Sequence, residues 1–355
     1  MVNYLIYGGK LAGIVAFNLL LKDAHNVLGF IESSGKLIDL PLNEKFKVYK
    51  EIPALPLDIL AITEGVMVGV DTMPLAVEIK EDLARKFPEK KIITILDSEY
   101  LPIFFGLREE SIKQITYEGL EQIRPINYGK HNVLVYIDNN VESQRAKKVY
   151  EKKILAYLNN LITTPMVIYD IGANIGLYSL ILAREYPSSQ IHAFEPERQN
   201  FFKLIRNIEL NLLKNVTAHL IAAGEERKIG SLYLQGELPG QGEHSLVNPV
   251  SKLYTPIEVW DLDTYVRIKK VPSPDLVKID VEGYELQVLK GMAGLLKSKK
   301  PKLIIEVHQC LIKEQQLYKF LKKYKYTIKE ISHDKTRRFI YAFRQKSRKK
   351  KQRQK

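Results

Sequence analysis

The sequence predicts an α/β protein built from two doubly wound, Rossmann-like domains. Apolar, β-forming runs alternate with segments of helical period in two separate series along the chain. Each series opens on a glycine turn placed directly after its first strand, "LIYGG" near the start and "VIYDIGANIG" at 167–176. At 355 residues, the chain is also long enough to bury two cores.

In the first series, residues 3–8 read as a buried strand, 11–22 as a helix and "NVLGFI" as a second strand, which makes a βαβ unit. "LDILAIT", a helix from Pro74 to Lys86 and the strand "KIITIL" continue the alternation into a parallel sheet complete by residue 97. Residues 98–128 have weak periodicity and several Gly and Pro, and read as a connection or small subdomain. "VLVYI" then reads as a strand and Glu142 to Leu161 as an amphipathic helix. The second series runs strand "MVIYDI", helix 176–185, strand "IHAFEP", helix 197–212 and strand "VTAHLI". A β excursion ("KIGSLYLQ", "PIEVW") brackets the glycine-rich loop "GELPGQGEHS". "DLVKID", a helix from Glu285, "KLIIEVH", a helix from Lys313, "YTIKEI" and "RRFIYAF" complete it. The expected domains are 1–97 and 129–343, with 98–128 between them and a basic tail at 344–355.

Net charge is +13, but the final "RQKSRKKKQRQK" holds eight Lys or Arg and no acid, which leaves +5 for the rest. The basicity is thus largely a tail property. Such a run reads as a solvated, disordered end, with an anionic membrane surface or nucleic acid as the partners it would favour. It contains no aromatic residue, so base stacking is not expected there. A single cysteine, Cys310, excludes an intramolecular disulfide and a cysteine-rich metal site, and reads as a small buried apolar side chain. The early run "LAGIVAFNLLL" contains Asn18, follows a strand without a basic leader, and is too short to span a bilayer. The expected location is the cytoplasm.

In doubly wound folds, ligands gather beyond the carboxyl ends of the strands, where helix N-termini also point. Asp170 ends a strand and belongs at that rim. Gly172 and Gly176 allow a tight turn, and Asn174 between them tolerates the left-handed region. The dinucleotide fingerprint G-x-G-x-x-G is broken, because its second and third glycines are replaced by Asn174 and Leu177. A pyrophosphate also sits poorly beside Asp170. S-adenosylmethionine (SAM), with a sulfonium, an ammonium and no phosphate, fits this charge better. Glu195, twenty-three residues beyond Gly172, stands where such folds place an acid for two ribose hydroxyls.

Later in the chain, "VKIDVEGYE" sets Asp280 at the rim with Glu282 two residues on and Gly283 turning into a helix, and "IIEVH" sets Glu306 and His308 likewise. Residues two apart on a strand face the same side, so each pair is expected to present two polar groups to one cleft. Transfer of a methyl group to an alcohol needs a group that takes the hydroxyl proton, and His308 is the first choice. A divalent ion held by Asp280, Glu282 and His308 is the alternative. Lys278, on an otherwise apolar strand, is expected to pair with an acid.

The phrases "DIGANIGLYSL", "FEPE", "LVKIDVEGYELQVLKG" and "LIIEVH", in this order, resemble the FkbM family of SAM-dependent methyltransferases over roughly residues 140–343. The resemblance implies a class I SAM-methyltransferase fold and O-methylation of a sugar, a glycan precursor or a natural product. By matching position it implies that Asp170, Gly172, Asn174, Gly176 and Glu195 hold SAM, while Asp280, Glu282 and His308 face the acceptor. The chain departs from many such enzymes after its third strand, where "AAGEE" supplies Ala223 in place of an acid or amide near the adenine. "LIYGGKLAG" and "GFIESSGK" resemble nucleotide-binding-like N-terminal domains of sugar-modifying proteins. There the fingerprint is again broken, with Lys10 at its second position and only Gly13 in place, which leaves a ribose contact from Glu32 or a docking role for this domain. The competing functions are a nucleic-acid methyltransferase guided by the tail and a binding protein with a vestigial methyltransferase fold.

Overall fold

The computed structural model describes residues 2–97 apart from 10, 34, 36, 38–39, 52–56, 71 and 73–74, then 122–128, 131–137, 152–234 apart from 164, 244–246, 253–308, 314–333 and 337–345. These residues divide into two compact units, the first centred on the early residues and the second on the region from Ile123 onward.

The first unit is a five-stranded sheet of β1 (Asn3–Tyr7), β2 (Asn26–Ile31), β3 (Val48–Tyr49), β4 (Gly65–Val68) and β5 (Lys91–Thr94), in the order β3-β2-β1-β4-β5. Every pairing is parallel. Helices α1 (Leu11–Lys22), α2 (Leu40–Lys45), α3 (Leu57–Ile62) and α4 (Leu75–Lys86) connect the strands. Both faces are buried, as crossover helices require. Tyr4, Ile6, Phe30 and Met67 join the core of one face, Leu5, Ile31, Val66 and Val68 that of the other. "LDILAIT" lies mostly in α3, and the strand falls on the "GVMV" after it. So short an apolar run does not reveal its period.

The second unit contains a seven-stranded sheet. It comprises β8 (Val167–Ile171), β9 (Gln190–Phe194), β10 (Val216–His219), β14 (Leu276–Ile279), β15 (Lys302–His308), β16 (Thr327–His333) and β17 (Arg337–Phe343), in the order β10-β9-β8-β14-β15-β17-β16. The first five are parallel, and β17 runs antiparallel to both neighbours. The helices are α5 (Lys152–Leu161), α6 (Leu177–Glu185), α7 (Arg198–Leu210), α8 (Leu262–Lys269), α9 (Glu285–Gly291), α10 (Ala293–Ser298) and α11 (Glu314–Lys323). Alternate residues again feed two cores: Tyr169, Ile171, Val277 and Ile305 on one face, Ile168, Leu276 and Ile304 on the other. The β excursion is a three-stranded sheet, β11 (Ala222–Ala223), β13 (Tyr254–Trp260) and β12 (Lys228–Tyr233), in that spatial order.

A two-stranded sheet of β6 (Gln122–Tyr128) and β7 (His131–Ile137) packs Ile126, Val133, Val135 and Ile137 against Leu155, Leu180 and Ile181. The sequence reading placed β6 in the connection. Pro125 and the exposed Ile123 hide its alternation. Among the described residues, no helix is long and apolar enough to cross a membrane.

Candidate functional site

The glycine turn after β8 is shaped by its neighbours. Gly172 and Gly176 have φ of +79° and +95°, and Asn174 occupies the left-handed region at 52° as the sequence led us to expect. A Cβ on Gly172 would stand 1.8 Å from the carbonyl oxygen of Asp280, so the turn after β8 and the end of β14 meet backbone to backbone. Glu195, just past β9, braces this turn. Its Oε2 accepts from the Asn174 N–H at 2.7 Å and its Oε1 from the Glu197 N–H at 2.9 Å. Glu197 in turn caps α7 by accepting from the Asn200 N–H. Burial pushes the Glu195 pKa up to about 8, although the backbone N–H donors of Glu197 and Asn174 favour its charged form.

Asp170 is buried at the end of β8 and has two partners. Its Oδ1 lies 3.0 Å from Lys278 Nζ and its Oδ2 accepts from Ser179 Oγ at 2.7 Å. Lys278 sits directly across the β8–β14 ladder from Asp170 and also reaches Asp280 Oδ2 at 3.6 Å. The pairing expected for Lys278 is therefore present, and the structure supplies the acids. Burial acts to lower the Lys278 pKa, but the charges of Asp170 and Asp280 outweigh it and raise the value, so the ammonium is firmly held. The carboxylate of Asp170 is accordingly matched by a lysine. The positive charge that this acid was expected to meet in a cofactor is already supplied by the protein.

Asp280, Glu282 and His308 do come together. His308 Nε2 is 3.0 Å from Glu282 Oε2, 3.7 Å from Glu306 Oε1 and 4.0 Å from Asp280 Oδ1. Glu306 also faces Arg337, with Oε1 3.2 Å from the guanidinium. Strand alternation explains the Glu306–His308 pair on β15, but not Asp280 and Glu282, which lie beyond the end of β14. Glu282 is turned inward by a left-handed backbone, φ 48°, followed by Gly283 at 97°. Its side chain is 22% exposed and that of Asp280 28%, the most open groups of the cluster. Burial raises the Glu282 pKa, against the opposing pull of His308.

Glu285, the first residue of α9, was missed. It is fully buried, and its Oε1 contacts His308 Nδ1 at 2.7 Å while accepting from the Gly283 N–H at 3.0 Å. In the sequence it reads as an ordinary first-turn acid, and only burial reveals its importance. Burial would lower the His308 pKa, yet the carboxylates of Glu282, Glu285 and Asp280 around the ring push it up to about 11. This imidazole therefore carries a proton at neutral pH, which weakens its claim to be the proton acceptor.

In the first unit, Glu32 repeats the Glu195 arrangement, its Oε2 accepting from the Gly9 N–H at 2.6 Å. Cys310, most of the 236–245 loop and all but the first two residues of the 344–355 tail lie outside the described residues.

The chain matches the methyltransferase FkbM domain over residues 170–345, from the acid that ends β8 to just past β17. It carries an FkbM-family, SAM-dependent methyltransferase domain. This FkbM domain has the seven-stranded sheet of the class I methyltransferases, with its last strand in sequence reversed and inserted beside β15. A methyltransferase 1 from Beauveria bassiana is 31% identical over 143 residues, 35% of this chain and 57% of that protein. The hexuronic acid methyltransferase AglP of Haloferax volcanii is 31% identical over 143 residues, 40% of this chain and 56% of that protein. The chain thus spans a little over half the length of these relatives. The crystal structure of a methyltransferase FkbM from Methylobacillus flagellatus is 15% identical, covers 96% of this chain and 90% of that one, and gives a TM-score of 0.39.

Proposed function

We propose that the protein transfers the methyl group of SAM to a hydroxyl of a sugar or glycan precursor. The FkbM domain match supports the methyl donor, and the meeting of Asp280, Glu282 and His308 beside the glycine turn supports the acceptor side. The likeness to a hexuronic acid methyltransferase favours a carbohydrate acceptor. In this reading, Gly172, Asn174 and Gly176 shape the wall against which SAM lies, Glu195 takes its ribose hydroxyls, and the Asp170–Lys278 pair keeps the turn in place. The acceptor oxygen attacks the methyl carbon in line with the carbon–sulfur bond. As the carbon–oxygen bond formed, the carbon–sulfur bond would break and the sulfur would leave neutral. The hydroxyl proton passes to Glu282, which is partly exposed and not drawn toward Lys278. His308 and Asp280 orient that carboxylate.

Calorimetry with SAM tests the donor: binding in the micromolar range is expected, and none at millimolar SAM would refute it. Screening nucleotide sugars and lipid-linked glycans bearing hexuronic acids, with the demethylated cofactor as readout, tests the acceptor. Replacing His308 by alanine is expected to lose turnover while keeping SAM affinity.

A further inference from the structure

We propose that Asp280, Glu306 and His308 bind a divalent cation, with Glu285 fixing the ring that ligates it. The role of the ion, though not the site itself, rests on the hydroxyl-methylation reading above. One potential ligand atom from each of the three residues lies within 4.8 Å of the others. Neighbouring ligands held at ~2.1 Å from a common ion stand ~3–3.6 Å apart, so drawing the three atoms together by up to about 1–2 Å would close the site.

His308 Nε2 is the atom that points to an ion. The residue is 6% exposed, its Nδ1 is engaged by Glu285, and Nε2 makes no hydrogen bond among the described residues. Glu282 Oε2 is close at 3.0 Å but lies off the direction of an Nε2–H bond. A metal resolves this arrangement. The ring keeps Nδ1–H on Glu285, and a bound ion displaces the Nε2 proton and ligates that nitrogen, the pattern in which a carboxylate behind a histidine sets its tautomer and basicity.

Charge argues the same way. Four carboxylates, those of Asp280, Glu282, Glu285 and Glu306, approach this one ring. Among the described residues, the cations at the cluster besides the His308 ring itself are Lys278, which Asp170 shares, and Arg337. One imidazole nitrogen with carboxylate oxygens suits Mn²⁺ or a similar ion better than a thiolate-seeking one. The sequence reading had Glu282 as the third ligand. The geometry gives that place to Glu306 and leaves Glu282 to take the acceptor proton, while the ion polarises the hydroxyl oxygen.

The test uses the full chain stripped with EDTA and titrated with MnCl₂, followed by calorimetry and by loss of the free Mn²⁺ resonance signal. One bound equivalent and a higher melting temperature are expected. Glu306→Gln and His308→Gln should each weaken Mn²⁺ binding about tenfold or more, and Glu209→Gln, at an exposed position of α7, should leave it unchanged. Because Glu306 also faces Arg337, each variant is checked for SAM affinity without metal. A variant that keeps SAM but loses Mn²⁺ supports the site. No Mn²⁺ binding by the unaltered protein at millimolar metal, or undiminished binding by both variants, overturns it. SAM calorimetry on the stripped protein separates the two ideas: if SAM binds but the unaltered protein takes up no Mn²⁺, only the cation site falls, whereas no SAM binding removes the methyltransferase reading beneath it.

Discussion

The two parallel sheets of this chain begin alike and diverge at the fourth strand in their spatial order. In each, a backbone N–H of the glycine turn donates to the carboxylate just past the second strand: Gly9 to Glu32 at 2.6 Å, Asn174 to Glu195 at 2.7 Å. In each, a glycine admits a carbonyl where a Cβ could not stand, Gly13 facing Gly8 O at 2.0 Å and Gly172 facing Asp280 O at 1.8 Å. The neighbouring inner strand then differs. Strand β4 is apolar and buried throughout, "GVMV", whereas β14 carries Lys278 and leads into Asp280, Glu282 and Glu285. A shared backbone frame therefore says little about chemistry; the charged residues on one strand and the turn after it make the difference.

The largest expected effect tests the shared frame. Gly172→Ala should destabilise the second unit by about 4 kcal/mol or more, since the Cβ meets backbone and φ is positive. Gly13→Ala should do comparable damage to the first unit, as judged by thermal and denaturant unfolding. A mild effect at either glycine would break the parallel.

The inner strand comes next. Lys278→Met leaves Asp170 buried without its cation and is expected to cost about 3–5 kcal/mol, read from the denaturant midpoint. Adding Asp170→Asn should recover much of that loss, which a merely steric defect would not allow. The first unit offers no such pair on β4 to disrupt.

The paired acids sharpen the comparison further. Glu195→Gln should weaken SAM binding by about 1.5–3 kcal/mol, and Glu32→Gln should leave it unchanged. With the Glu195 pKa raised to about 8, SAM affinity should rise with pH through that value and level off above it, because the ionised carboxylate is the better acceptor of two hydroxyls. Glu195→Gln should flatten this dependence. Fold stability has the opposite sign: the contribution of a raised carboxyl pKa is complete below the ordinary carboxylate value and is lost as pH rises through about 8. The smallest change is Glu32→Gln in the first unit, about 1 kcal/mol from its bond to the Gly9 N–H.

Much of the fold was legible because its signals are local. Glycine turns, apolar strands of period two and an acid just past each second strand are written in adjacent residues, and they sufficed to foresee two doubly wound sheets. "LDILAIT" and β6 were misread for the same reason: a seven-residue, largely apolar run has no resolvable period, and Pro125 interrupts another.

The sequence by itself determined the strand frame and the left-handed turn at Asn174, and it singled out Asp280, Glu282 and His308 as polar groups of the rim. Only the tertiary structure decided that Asp170 faces Lys278, that Glu285 is buried against His308, and that this histidine carries a proton among carboxylates. The reason is physical. Local conformation depends on near neighbours, whereas a side chain's charge state depends on burial and on partners that the fold brings in from far along the chain.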